Sequence, residues 1–402
     1  MTALVFNCNL NGLSIIQELG RHGIEVIALD NIRSIGTYSR YANFWRCPDP
    51  SANEEDFITF LLEKGKAFTH KPVLFPTNDH WAMAISQHKQ RLTEFYIPCV
   101  ADYQAVKLVI HKQQFIEWAQ QRGYPVPKSW SHQKIDQIPD DAFPIAAKPE
   151  YRRISSNNNQ LPSLLSQLDQ MRLTVLNNRD ELNRFIAHHD VLIPYFVFQE
   201  YIRGLSNQMY TVGVYANQHY EIIGLFTGRK VRGFPPDVGD CIVGQVEPVP
   251  DMLIKITKNI CHELKYQGIA EFEFKQNSET GEYKLIEINP RSWSWVGITP
   301  ACGVSLPWIA YNDLIDPKNA TPIFCQLPAG KVKWVRLLDD FVNCLYLNKK
   351  AGYPDWHFSF RQWWESLQAD TLVIAEFAKD DLRPGFYIIW EYLKRVLRWM
   401  IK

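Results

Sequence analysis

The chain has 402 residues, 46% of them apolar, and its 43 basic side chains balance 43 acidic ones. That length exceeds one ordinary domain and predicts two or three packed ones, while the even charge excludes a bulk electrostatic claim on nucleic acid. Eight cysteines are scattered without a C-x-x-C pair, which argues against a disulfide framework or a zinc site and for free thiols in a reducing compartment.

The amino terminus carries no charged n-region and no small-residue cleavage site. No run reaches the roughly 18 apolar residues needed to cross a bilayer, so a cytoplasmic protein is expected. Ala3–Phe6 reads as a buried strand, Asn7–Asn11 as a polar turn and Gly12–His22 as a helix stopped by Gly23. Ile24–Leu29 is the next strand, ending at Asp30. The rhythm is Rossmann-like, but the absence of G-x-G-x-x-G weakens a dinucleotide reading. A third strand, Val73–Phe75, leads through Pro76 and Thr77 into Asn78, Asp79 and a helix from about His80. Asn78 and Asp79 suit either a helix cap or a ligand site at the carboxyl edge of a parallel sheet.

A second unit runs from about 107 to 300. Lys112–Arg122 is helical, and the prolines of Gly123–Pro127 force an extended path. Phe143–Lys148 is a strand ending in a lysine, and the Ser/Asn/Gln-rich stretch 152–167 reads as a loop. A strand at Leu173–Leu176, a helix at Asp180–His188, and strands at Val197–Tyr201 and Gln208–Tyr215 follow. The Gly268–Phe274 and Tyr283–Arg291 segments alternate strictly about a turn at 277–282. Phe272 and Phe274 take one face of the first strand, Glu271 and Glu273 the other. In the second, Ile286 and Ile288 oppose Leu285, Glu287 and Asn289. A turn centred near 279–280 puts Glu273 almost opposite Glu287. Two carboxylates about 5 Å apart repel by about 3 kcal/mol at an effective dielectric near 20. A divalent cation would reverse that sign, and oxygen ligands with Asn289 beside them suit Mg²⁺. Arg291 is then placed to meet a phosphate.

These residues together resemble the ATP-grasp superfamily. The resemblance implies an α/β (α+β) ATP-grasp fold with an N-terminal Rossmann-like domain (1–104), a nucleotide-binding and catalytic unit (105–304) and a C-terminal extension (305–402). It implies ATP and Mg²⁺ as cofactors, with Glu273, Glu287 and Asn289 as metal ligands. Lys112 and Lys148 would hold the nucleotide phosphates, and Glu200, Tyr201 and Ile202 would read adenine. The segment Phe226–Pro236, with Arg229, Lys230 and Arg232, resembles a loop of the carboxylate–amine ligase subgroup, as does Phe377–Pro384 near the end of the chain. Arg291, Lys230 and Arg232 are therefore the candidate catalytic cations, and Glu271 is a candidate base. The implied reaction activates a carboxylic acid as an acyl phosphate and couples it to an amine, with small molecules as partners and no nucleic acid. Dimers are common among such relatives. One departure stands out: the family's glycine-rich flap after the second lysine is replaced by Tyr151–Asn159, where Arg152 and Arg153 offer donors instead of backbone N–H groups. A non-catalytic ATP-binding scaffold is the competing reading. The aromatic, basic helix Phe386–Lys402 suits either docking on the protein or peripheral contact with the inner face of a membrane.

Overall fold

The computed structural model describes residues 1–150, 168, 171, 173–237, 239–319 and 321–401. Strands β1 (Thr2–Phe6), β2 (Glu25–Asp30), β3 (Ala42–Arg46), β4 (Val73–Pro76) and β5 (Ile97–Pro98) form a parallel sheet in the order β3-β2-β1-β4-β5. Central β1 is buried along Ala3–Phe6, which is why it reads as a continuous apolar run rather than an alternating one. The first helix spans Leu10–Arg21, two residues earlier than its apolar pattern suggests, because Leu10 and Asn11 already lie in its first turn. The next relevant helix, Asp79–Gln87, is capped by the Asn78 side chain, which accepts from Trp81 N at 3.1 Å.

A small lobe follows. Strands β6 (Ser129–Ser131), β7 (Ile145–Pro149), β8 (Thr174–Leu176) and β9 (Phe196–Glu200) pair antiparallel in the order β6-β9-β7-β8. The lobe has its own apolar core, including Ile145, Leu182, Phe185 and Phe198.

The largest sheet holds β10 (Met209–Ala216), β11 (Ile222–Phe234), β12 (Asp240–Val246), β13 (Gly268–Gln276) and β14 (Tyr283–Asn289). It continues into the last hundred residues: β15 (Ile323–Phe324) pairs with β11, β16 (Val332–Val335) with β12, and β17 (Thr371–Ile374) with β16. One core joins this sheet to the N-terminal domain, with Leu4, Phe6 and Trp81 in the same cluster as Val212, Phe272 and Ile288. Residues beyond 305 thus complete the sheet that carries the carboxylate hairpin.

The chain ends in a helix, Arg383–Ile401, docked on the N-terminal domain. Tyr387 stacks on Tyr38 with ring centroids 4.2 Å apart. The segment before it is clamped by two adjacent carboxylates. Asp380 accepts from Arg21 Nε (2.8 Å), Arg21 Nη2 (2.9 Å) and the Tyr41 hydroxyl (2.8 Å). Asp381 accepts from Gln17 (3.0 Å), Ser39 (2.5 Å) and the Arg40 backbone N–H (3.0 Å). Among the described residues no helix is long and apolar enough to cross a membrane. All eight cysteines are free.

Candidate active site

The hairpin expectation holds where it matters. Glu273 on β13 stands directly opposite Glu287 on β14, and Glu271 opposite Asn289. The expected strict alternation does not hold. Phe274 pairs with Leu285, so Ile286 is an extra residue on β14. Such a bulge exchanges faces beyond it: Leu285 joins Phe274 and Ile288 in the core, while Ile286 lines a cavity beside Glu287.

Each carboxylate of the pair has its own cation. Lys230 lies 2.7 Å from Glu273, and Lys148 lies 2.9 Å from Glu287 with Lys112 at 3.7 Å from its other oxygen. Burial alone would raise the Glu287 carboxyl. Lys148 and Lys112 outweigh burial, with help from the Lys148 hydrogen bond and Arg291, and hold it well below the usual carboxylate range. Burial likewise opposes the Lys230 ammonium, yet Glu273 and Glu271 keep it above the usual lysine range. Lys112 goes the other way: burial lowers it, more than Glu287 can offset. Glu271 accepts from Thr211 (3.0 Å) and from Asn289 Nδ2 (2.9 Å); burial first and Glu273 second push it up to about 8. Arg291 is aimed by Asp79 at 2.8 Å and by the Asn289 side-chain oxygen Oδ1 at 3.0 Å. Asn78 therefore serves as the helix cap, and Asp79 orients an arginine of the site.

Two cavities meet at this cluster. The smaller, about 300 Å³, lies between the small lobe and the hairpin and is lined by Lys112, Lys148, Glu200, Tyr201, Ile202 and Ile286 among others. Glu200 uses one oxygen to accept from Lys128 N at 3.1 Å, and Tyr201 presents its ring to Lys275 Nζ at 5.1 Å. The larger, about 750 Å³, lies between the hairpin, the N-terminal domain and the C-terminal helix, and is reached by Arg291, Asn289 and Glu271. Lys230, Asp240, Glu273 and Glu287 line both. Beneath the larger cavity lie Trp293 and Trp295. Gly213 makes room for the first, since a Cβ there would sit 2.2 Å from the Trp293 ring.

Arg232 is not brought to either cavity. It forms a buried bidentate pair with Asp340 at 2.8 and 2.7 Å, and Trp363 Nε1 donates to the same carboxylate at 2.8 Å. The cause is local: Lys230 pairs with Gly244 and Arg232 with Val243, so Val231 is skipped and the two cations leave opposite faces of β11. Arg229 also stays outside, held by Asn207 O and Glu247. The flap residues, with Arg152 and Arg153, lie outside the described residues.

Several lining residues escaped the sequence reading. Lys275 continues the Glu271, Glu273 alternation into the smaller cavity, and burial pushes it down to about 8; the period was its signal. Arg336, Asp339, Glu376, Tyr387, Glu391 and Tyr392 reach the larger cavity from the last hundred residues, and no local pattern announces them.

Mg²⁺ fits the donor set by chemistry: two opposed carboxylates and an amide beside a phosphate-sized space. Among the described residues no group of three or more His, Cys, Asp or Glu side chains is placed to hold an ion. Mg²⁺ sites commonly use one or two carboxylates and take their remaining ligands from water and substrate phosphates.

The class defined by this fold is the ATP-grasp fold: a small antiparallel lobe and a larger sheet with a cavity of about 300 Å³ between them beside paired acids. No family model matches the chain. It is 25% identical over 252 residues to the D-aspartate ligase of Enterococcus faecium (strain Aus0004), a match covering 59% of this chain and 57% of that one, so it spans little more than half of that relative. Among solved structures it is similar to N5-carboxyaminoimidazole synthetase from Staphylococcus aureus complexed with ADP (TM-score 0.61, 14% identity, covering 88% and 86% of the two chains). It is also similar to L-amino acid ligase from Bacillus licheniformis (TM-score 0.56, 13% identity, 80% and 77%). The biotin carboxylase domain dimer of the Hydrogenobacter thermophilus 2-oxoglutarate carboxylase, solved with MgADP, ADP and bicarbonate, is a third (TM-score 0.58, 14% identity, 78% and 69%).

Proposed function

We propose that the protein is an ADP-forming, Mg-ATP-dependent ligase that joins a small carboxylic acid to an amine. The observation that carries this reading is the meeting of two cavities at one pair of opposed glutamates. A nucleotide in the smaller cavity would present its terminal phosphate to whatever occupies the larger. The likeness to a D-aspartate ligase and an L-amino acid ligase supports C–N bond formation, and an amino acid is the first carboxylate to try.

Tyr201 and Ile202 would enclose adenine, with Glu200 at its edge. Lys148 and Lys112 would exchange Glu287 for nucleotide phosphates. Glu273, Glu287 and Asn289 would hold Mg²⁺, whose part when bound is to neutralise phosphate charge during transfer. A carboxylate oxygen attacks the γ-phosphorus as the bond to ADP breaks, giving an acyl phosphate. The amine nitrogen then attacks the acyl carbon, loses a proton, and phosphate leaves. Arg291, fixed by Asp79, and Lys230 would stabilise the oxyanion of that step. Glu271, with its raised pKa and place in the larger cavity, is the proposed acceptor of the amine proton. Arg232 is left out of this scheme.

The test is release of ADP and phosphate from the purified protein with Mg-ATP over pools of amino acids, other carboxylic acids and amines. Release that requires both a carboxylate and an amine supports the ligase. ATP binding without release in any pool supports the scaffold reading.

The C-terminal helix supports a second proposal, peripheral contact with a membrane. Phe386, Trp390, Leu393 and Leu397, spaced to fall on one face, are each more than half exposed. Sedimentation with anionic and neutral vesicles tests it: no binding to either rejects it. Dimerisation, proposed by analogy with the Hydrogenobacter domain, is tested by sizing in solution.

A further inference from the structure

A third cavity, of about 310 Å³, adjoins the two already described. It is bounded by the end of β11, the start of β12, the helix Leu337–Val342 with the turn that follows it, and Tyr392 of the C-terminal helix. Its lining divides in two. Asp240, Arg336, Asp339 and Tyr392 also line the larger cavity, so the two spaces share a polar neck. Asp240 lines the smaller cavity as well and stands where all three meet. Among the described residues, those lining the third cavity and neither of the others are Phe234, Ile242, Val342, Leu347 and Asn343, four of them apolar.

Local structure sets this division. Asp240 at the neck and Ile242 beyond it are two residues apart on β12, the period that keeps side chains on one side of a strand. Phe234 pairs with Asp240 across the hairpin, and it packs with Ile242 on a core that includes Trp363 and Leu367. The Arg336 N–H donates to Ile242 O at 2.9 Å, and its guanidinium pairs with Asp339 one helical turn on. The chain then widens: Asn348 N–H donates to Asn343 O, five residues back, and the π-helical turn Asn343–Leu347 lines the cavity with its first and last residues. Such turns are rare and recur at functional sites.

We propose that the third cavity is the side-chain subsite of the acid substrate, and that this acid is an amino acid with an extended apolar side chain. The inference deepens the ligase reading and rests on it for the identity of the reacting carboxylate. In that reading the larger cavity, with the C-terminal helix as its far wall, is the acceptor cavity. The acid has to adjoin the terminal phosphate of a nucleotide in the smaller cavity, and Asp240 is where the smaller, the larger and the third cavity touch. An acid reacting beside Lys230 and Glu273 has the apolar end within reach of its side chain, past the neck. A side chain that fills this end gains the transfer free energy of each methylene it buries. An acidic side chain instead meets Asp240 and Asp339 at the neck, with Arg336 already paired, and one amide beyond it.

The test is calorimetric titration of the full chain, with Mg²⁺ and a non-hydrolysable ATP analogue present, by alanine, norvaline, norleucine and aspartate. Affinity is expected to rise about threefold per added methylene, so that norleucine binds about thirtyfold more tightly than alanine. Aspartate should bind no better than alanine. Ile242→Thr and Leu347→Asn, which keep volume and introduce polarity, should each flatten the rise along the series. Leu347 is only partly buried, so its variant remains informative if Ile242→Thr unfolds the chain. Equal binding of alanine and norleucine, tightest binding of aspartate, no detectable binding of norleucine, or variants that weaken every probe alike would overturn the proposal. The ligase reading fails separately: a chain-length ranking without ADP release in any pool keeps the subsite and removes the reaction.

Discussion

Lys230 and Arg232 are two residues apart on one strand, and each meets a carboxylate at 2.7 Å. Their surroundings differ completely. Lys230 and Glu273 open into both cavities, whereas Arg232 and Asp340 are sealed, 4% and 1% exposed, beneath Trp363 and Phe358. The first pair leaves its cation free to trade a carboxylate for substrate charge. The second has both guanidinium–carboxylate bonds made and nothing to trade with. The two buried ion pairs thus differ in what they face, and the bulge at Val231 decides which cation of the basic run opens into the cavities.

The sharpest way to break this contrast is to remove one carboxylate from each side. Glu287→Gln should lower ADP release by about a thousandfold or more while circular dichroism reports a folded chain, because it removes one of the two carboxylates proposed to hold Mg²⁺. Turnover near the wild-type rate would remove Glu287 from the chemistry. Asp340→Ala should do the reverse. It leaves Arg232 buried without a partner, at an expected cost of about 3–5 kcal/mol in urea unfolding. The surviving folded fraction should keep its rate per molecule. A rate loss without a stability loss would move Arg232 back among the catalytic candidates.

The sequence allowed the first half of this contrast to be read and concealed the second. Glu273 opposite Glu287 follows from period-two alternation and a countable turn, because pairing in a hairpin is local. The bulges at Ile286 and Val231 are equally local but leave no mark: one extra residue changes neither composition nor the apparent period of a short strand, yet it exchanges the faces of all that follows. Leu285, Ile286 and Arg232 were misplaced for that one reason. The far wall was hidden for another. Glu376 and Glu391 reach the cavity through contacts some hundred residues from the hairpin, and only the docking of the last helix brings them there. The Phe377–Pro384 resemblance pointed at the clamp without revealing that its acids grip the N-terminal domain.

Glu376 gives a smaller effect with a defined pH window. Its folded-state carboxyl is held at about 7 by burial, above an unfolded value near 4.3. Between those values the folded chain binds more protons than the unfolded one, so this group costs stability as pH rises toward 7 and adds a constant penalty above it. Glu376→Gln removes that penalty. Its stability advantage over wild type should grow by about 2 kcal/mol between pH 5 and pH 8. A difference independent of pH would mean that the acid is already fully ionised or already paired in the folded chain.

The smallest effect belongs to a third ion pair that separates geometry from burial. Arg21 and Asp380 make the same two-pronged contact as Arg232 and Asp340, at 2.8 and 2.9 Å, but each side chain is about 40% exposed. The Arg21 hydrogen bond comes first among the influences that hold Asp380 well below the usual carboxylate range, opposed by partial burial and assisted by the Tyr41 hydroxyl. Its contribution is therefore present above the unfolded carboxylate value near 3.9 and disappears as pH falls through the lower folded one. In water and salt such a pair is worth about 0.2–1 kcal/mol. Asp380→Asn should cost no more than that at pH 7 in urea unfolding, and less at high ionic strength. A loss as large as that of Asp340→Ala would show that bidentate geometry, and not exclusion of water, sets the strength of these pairs. A small stability loss accompanied by a raised KM for the amine would instead mark the clamp as the device that holds the last helix against the acceptor cavity.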